Sequence, residues 1–149
     1  MKIIRFSATV LAGIGRLQGK DTAVLAVLAC LCCLPLADAA DAAAPHGILS
    51  GRNTLIVASS DMTHFENAQL ARKLDDLALE KVLALDAAGL HSTVMRHRIS
   101  MCGFAPSVAM ITAAVELGAT AAELVRYGHS GEQTGDDSSV VGYAAVRVY

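Results

Sequence analysis

The sequence predicts the α/β class, with helices packed on a sheet. Three observations carry that expectation. Thr54 to Ala58 is a brief apolar run rich in β-branched residues, which reads as a buried strand. The stretch after it places Ala71, Leu74, Ala78, Val82 and Leu85 at steps of three and four, the spacing of one helical face. Glu123 to Tyr127 and Val140 to Val148 then read as two further strands around a polar loop, His129 to Ser139.

The strand at Thr54 opens the orderly part of the chain, taken as a domain over residues 53–149. Ser59 to His64 follows as a polar loop. Thr63 and Glu66 stand at capping-box spacing, where a hydroxyl and a carboxylate each satisfy a free backbone N–H, so a helix is expected from His64. Lys73, Asp76, Glu80 and Lys81 would form its solvated face. Asp86 is placed to cap a second, shorter helix toward Arg96, with His91, Arg96, His97 and Arg98 in water. A third helix is expected from Pro106 to Leu117, because proline suits a first turn and Gly118 the position past the end. Val108, Ile111 and Val115 mark its expected buried side.

Residues 1–40 differ in kind. Lys2, Arg5, Arg16 and Lys20 precede an uncharged run from Thr22 to Ala37, and Ala37-Asp38-Ala39 offers small residues at the spacing of a signal cleavage site. A secretory or anchoring segment is one reading, with membrane contact only through residues 22–37. A buried Ala/Leu helix ended by Pro35 is another, and a stretch not native to the domain is a third. The run is shorter than the roughly 20 apolar residues of a membrane span. Residues 41–52, with Pro45, Gly47 and Gly51, read as a linker.

Composition excludes some functions. The 149 residues are 54% hydrophobic with mean hydropathy +0.47, enough to bury a real core. Net charge is −2, with no long basic run, aromatics are 4% and there is no Trp. Nucleic acid is therefore not an expected partner, since neither an electrostatic footprint nor stacking platforms are present. Cys30, Cys32 and Cys33 crowd one apolar stretch, while Cys102 stands alone. Cys30 and Cys33 form a CxxC without a second ligand pair, and its Leu and Ala surroundings favour thiols used as small hydrophobes.

Three residues could carry chemistry. Asp61 and His64 follow a strand directly, where α/β folds collect ligand-binding groups. An Asp beside a His can fix the ring's tautomer and raise its basicity, leaving the His as acid, base or ligand. Cys102 precedes Gly103 at the start of a helix, whose free N–H groups and dipole favour a thiolate. The bland alternatives are a turn-forming Asp, a helix-start His and a buried thiol. The three signals matter only if they converge in space.

The segment Leu55-Ile56-Val57-Ala58-Ser59-Ser60-Asp61-Met62-Thr63-His64-Phe65 resembles the S-S-D-x-x-H segment of Memo-family proteins. Ser100-Met101-Cys102-Gly103, with Pro106 beyond, resembles their C-G-x-x-P segment. Tyr127, Ser130 and Gly131, then Val140-Val141-Gly142-Tyr143-Ala144, resemble their closing strand–loop–strand. The likeness runs from Asn53 to Tyr149. In bacteria such proteins are grouped as component B of the AmmeMemoRadiSam system. The resemblance implies a fold similar to protocatechuate-type extradiol dioxygenases, here partial and incomplete at the N-terminus. It implies a pocket where two N-terminal histidines and the cysteine surround a metal, with His64 as the acid–base residue, Asp61 its neighbour and Cys102 the thiol ligand. Imidazole and thiolate suit iron, with copper or zinc as alternatives. A dioxygenase reaction would rest on fold analogy alone.

The departure is N-terminal. Ala44-Pro45-His46-Gly47, then Ser50-Gly51, resembles a shortened form of the family's first histidine motif, which makes His46 a candidate metal ligand; a Pro-His-Gly loop is the plainer account. No second histidine motif is found, since His91, His97 and His129 stand in other contexts. Three expectations remain open: a truncated member with a partial pocket and no firmly held metal; a metal-dependent oxidoreductase completed by a partner chain or a second copy; and an exported or membrane-anchored interaction module. The resemblance implies the cytoplasm as compartment and the other AmmeMemoRadiSam components as partners; the alternative is export or anchoring through residues 1–39. A strand at Thr54 that lacks neighbours would expose a pairing edge, so a homo-oligomer is also expected.

Overall fold

The computed structural model describes residues 2–5, 22–27 and 53–149. Its first two strands are β1 (Lys2–Arg5) and β2 (Thr22–Val27), followed by β3 (Asn53–Ala58) and a short β4 (His64–Glu66). Three helices come next, α1 (Ala68–Leu83), α2 (Ala87–His97) and α3 (Phe104–Glu116). The chain then forms β5 (Ala122–His129), a single-turn α4 (Gly131–Thr134) and β6 (Val140–Val148). The expected α/β class is what forms: helices pack against a small antiparallel sheet.

The sheet is organised on β6. It runs antiparallel to β5 along its length, from Ala122 opposite Val148 to His129 opposite Gly142. At one end it also pairs with β1 and at the other with β4, where His64 faces Val141. β6 alternates strictly, with Val140, Gly142, Ala144, Val146 and Val148 buried, as a half-covered strand should. β3 pairs in parallel with β2, Thr22 opposite Asn53 through Val27 opposite Ala58. Part of the apolar run from Thr22 is thus strand, not the helix one reading offered. The rest of that run, the CxxC and the 41–52 linker lie outside the described residues. Among the described residues no helix is long and apolar enough to cross a membrane.

The core gathers Ile56 and Met62 with Leu79 and Val82 of α1, Leu90 and Val94 of α2, Ile111 of α3, and Val146 and Val148 of β6. α1 does not start at His64. Its cap is Asn67, whose side chain accepts the N–H of Leu70 at 3.0 Å. The expected capping box fails because His64 to Glu66 is drawn onto the edge of β6. Ala71, Ala78 and Val82 are buried as their spacing requires, while Leu85 falls beyond the helix with φ of 56°. Asp86 caps α2 as expected, accepting from Gly89 N at 2.7 Å, and His91, Arg96, His97 and Arg98 are exposed.

α3 begins two residues earlier than expected, at Phe104, which leaves Pro106 in its first turn. Gly118 just past its end has φ of 86°, a conformation glycine adopts without strain. Ile111 is buried and Val108 half-buried, but Val115 is exposed; Ser107, Met110 and Ala114 complete the inner face instead. The inner face runs through Ser107, Met110, Ile111 and Ala114, which turns Val115, one residue on, toward the outside. The loop expected over His129 to Ser139 holds the single turn α4.

Candidate metal centre

The turn from β3 to β4 lies against the turn from α2 to α3, and this brings Asp61, His64 and Cys102 together. Their potential ligand atoms all lie within 4.8 Å of one another. His64 Nε2 stands 3.7 Å from Asp61 Oδ2, with the two side chains 19% and 28% exposed, so the pair is sheltered yet reachable. Cys102 is a free, exposed thiol. His46 lies outside the described residues.

Two of the three side chains, Cys102 and His64, are held by the backbone of another segment, and Asp61 is tied in through its own N–H. Cys102 Sγ accepts the N–H of Asp61 at 3.2 Å, and Ser60 Oγ is 3.9 Å from the same sulfur. Gly103 N donates to Ser60 Oγ at 2.8 Å, which ties the two turns directly. Gly103 is required by this closeness: a Cβ there would lie 2.5 Å from both Ser59 O and Ser60 Cβ. Ser107 of α3 returns its hydroxyl to Gly103 O at 2.7 Å.

His64 is held by Ser100. Its main-chain N–H donates to Ser100 Oγ at 2.7 Å, and its ring Nδ1 lies 2.7 Å from the Ser100 carbonyl oxygen. A carbonyl can only accept, so Nδ1 carries a proton, and in the neutral ring Nε2 holds the lone pair, on the side of Asp61. The tautomer is therefore set by Ser100, not by Asp61 as the sequence suggested. A ring N–H anchored on a carbonyl with the other nitrogen free is the usual arrangement of a metal-ligating histidine.

Behind this wall lies a buried carboxylate the sequence did not single out. Asp75 of α1 is 0% exposed. Its Oδ1 accepts the N–H of Thr63 at 2.8 Å and its Oδ2 accepts the hydroxyl of Tyr127 at 2.7 Å. Burial pushes the Asp75 carboxyl above its ordinary range, opposed by these hydrogen bonds. Burial and the bond to Asp75 together push the Tyr127 phenol up. The Arg72 guanidinium sits 4.2 Å over the Tyr127 ring. Gly142 of β6 backs the same carboxylate, leaving no room for a Cβ against Asp75 Oδ2.

One imidazole, one thiol and one carboxylate within this span fit a borderline ion such as iron, zinc or copper. The lone pair on Nε2 and the N–H bond already made to Cys102 Sγ support that fit. Beside the site, Phe65 sits in a bulge between His64 and Glu66, with φ of 63° and 80% of its surface exposed.

A family model described as "Memo-like protein" matches residues 37–147. The chain belongs to the Memo family. It is 48% identical over 99 residues to a MEMO1 family protein of Methanosarcina barkeri (strain Fusaro / DSM 804), covering 66% of this Memo-family chain and 37% of that protein. It is 46% identical over 95 residues to one of Methanopyrus kandleri, covering 64% and 34%. A third, from Methanocaldococcus jannaschii, is 42% identical over 97 residues, covering 65% and 34%. The chain thus matches about a third of the length of these curated relatives.

Proposed function

We propose that Asp61, His64 and Cys102 form one wall of a metal-dependent redox pocket of the Memo type. In this reading Cys102 is a thiolate ligand. His64 is the acid–base residue or a further ligand through Nε2, and Asp61 holds charge beside it. Iron is the first candidate, with copper or zinc as alternatives. The observation that carries the reading is convergence: two turns 41 residues apart in sequence bring three donors of different chemistry within one ion's reach. His46 is proposed as a remnant ligand, a reading helped by a family match that begins ahead of it. As a pocket with one wall, the site is proposed to bind metal weakly alone and to be completed by a second copy or by another component of the AmmeMemoRadiSam system, in the cytoplasm.

A bound metal would supply Lewis acidity or electron transfer beside these residues. The chain's own part is defined without it. Ser100 O holds the His64 proton on Nδ1, so Nε2 is the atom that takes up or returns a proton. Asp61 stabilises that ring once it is charged, and its main-chain N–H stabilises negative charge on Cys102 Sγ.

Equilibrium dialysis of the purified chain against iron, copper or zinc, read by elemental analysis, tests the proposal. The chain should take up metal saturably and weakly, and both Cys102→Ala and His64→Ala should abolish that uptake. Metal content unchanged by those substitutions would place the ion elsewhere and end this reading.

A further inference from the structure

Asp75 occupies a position that chemistry alone makes expensive. It lies on the inner face of α1 between Ala71 and Ala78, where an apolar side chain would pack without desolvating a carboxylate. Both of its oxygens are committed, one to the site turn and one to β5. The donor it takes from the turn is special. Thr63 is buried and lies just before β4 begins, so its N–H has no strand partner and would be an orphan in the core without Asp75. On the other side of that peptide, Thr63 O accepts from Gly142 N at 2.9 Å, and Met62 N donates to Gly142 O at 2.9 Å. Asp75 therefore fixes the main chain midway between Asp61 and His64. Tyr127 in turn fixes Asp75, with its own ring clamped beneath Arg72, itself paired to Asp76 at 2.8 Å.

We propose that Asp75 is the positioning residue of the Asp61–His64–Cys102 site: held by Tyr127, it locks the Thr63 peptide and so seats the His64 ring on the Ser100 carbonyl. The metal arm of its test rests on the function proposed above; the histidine arm does not. The pair of variants that separates positioning from bulk packing is Asp75→Ala and Asp75→Asn. The amide can keep both bonds, accepting from Thr63 N–H and donating to the Tyr127 oxygen, whereas Ala keeps neither.

The full chain, labelled with nitrogen-15, is read by long-range NMR correlation of the His64 ring, and Co(II) alone is titrated as a probe of the thiolate and imidazole donors. Wild-type His64 should show the Nδ1–H tautomer. Asp75→Ala should convert it to a mixture with substantial Nε2–H and weaken Co(II) about tenfold or more, the scale seen when groups that orient ligands are removed. Asp75→Asn should restore the wild-type ring spectrum. Val94→Ala, a core truncation on α2, should lower the melting temperature and leave the ring unchanged. If Asp75→Ala does not fold, Tyr127→Phe carries the test, with a smaller shift in the same direction. A wild-type ring spectrum in folded Asp75→Ala or in Tyr127→Phe overturns the proposal, as does an equal disturbance by Val94→Ala. Should the wild type fail to bind Co(II), the metal reading falls and the histidine arm alone decides this one.

Discussion

At His64 a main-chain oxygen decides the chemistry. The Ser100 carbonyl accepts from Nδ1, and that single bond determines which ring nitrogen is available to a proton or an ion. Neither the S-S-D-x-x-H pattern nor its spacing contains Ser100, which joins the site only because the α2–α3 turn folds back on it. Gly103 shows the same dependence in a form that can be measured. Its backbone touches the Ser59–Ser60 backbone so closely that an added methyl meets fixed atoms rather than a flexible tip. Gly103→Ala should therefore cost about 1–3 kcal/mol, the usual range for overpacking. Chemical denaturation should read this as a lower midpoint, with Cys102 becoming more reactive to a thiol reagent as the two turns part. A variant of wild-type stability would mean the turns are looser than this contact implies. Asp61, His64 and Cys102 were legible in the sequence because each carries a reactive group in a recognisable neighbourhood. Asp75 was not, because a charged pair, Asp75-Asp76, on an amphipathic helix reads as solvated face; only the fold shows that one member points inward.

At the scale of elements, local rules succeeded where nothing competed with them. Asp86 caps α2 and Gly118 ends α3 as their chemistry dictates. At the start of α1 two signals competed. Thr63 with Glu66 offered a capping box, but pairing with β6 took His64 and Glu66 into a strand, and Asn67 became the cap. Asn67→Ala should cost about 1 kcal/mol, the typical loss for an N-cap that accepts a backbone N–H. Urea denaturation is the check. If α1 instead retained a cap through Thr63, stability would not change. Val115 failed for a different reason: in a helix this apolar the periodicity leaves the centre of the buried face uncertain by one residue, and it falls on Ala114.

For the molecule as a whole, the class was readable from alternation in Val140 to Val148 and from helical spacing, while the partners of each strand were not. Among the described residues β3 hydrogen-bonds only to β2, so the second strand partner expected of a central strand is not found among them. We expect self-association, seen as a dimer or larger species by analytical ultracentrifugation and growing with concentration. A monodisperse monomer with one cooperative melting transition would contradict it.

The placement of β6 sets an order of events during synthesis. Met62 and Thr63 bond to Gly142, and His64 pairs opposite Val141, so the turn that carries Asp61 and His64 is templated by residues translated almost eighty codons later. Until the ribosome has passed that point, β3, α1, α2 and α3 can gather their apolar faces, but the Asp61–His64 turn lacks the Val141 and Gly142 main chain that templates it. The imidazole and the thiol are therefore both made before the strand that fixes their turn, and the site is completed only when β6 arrives.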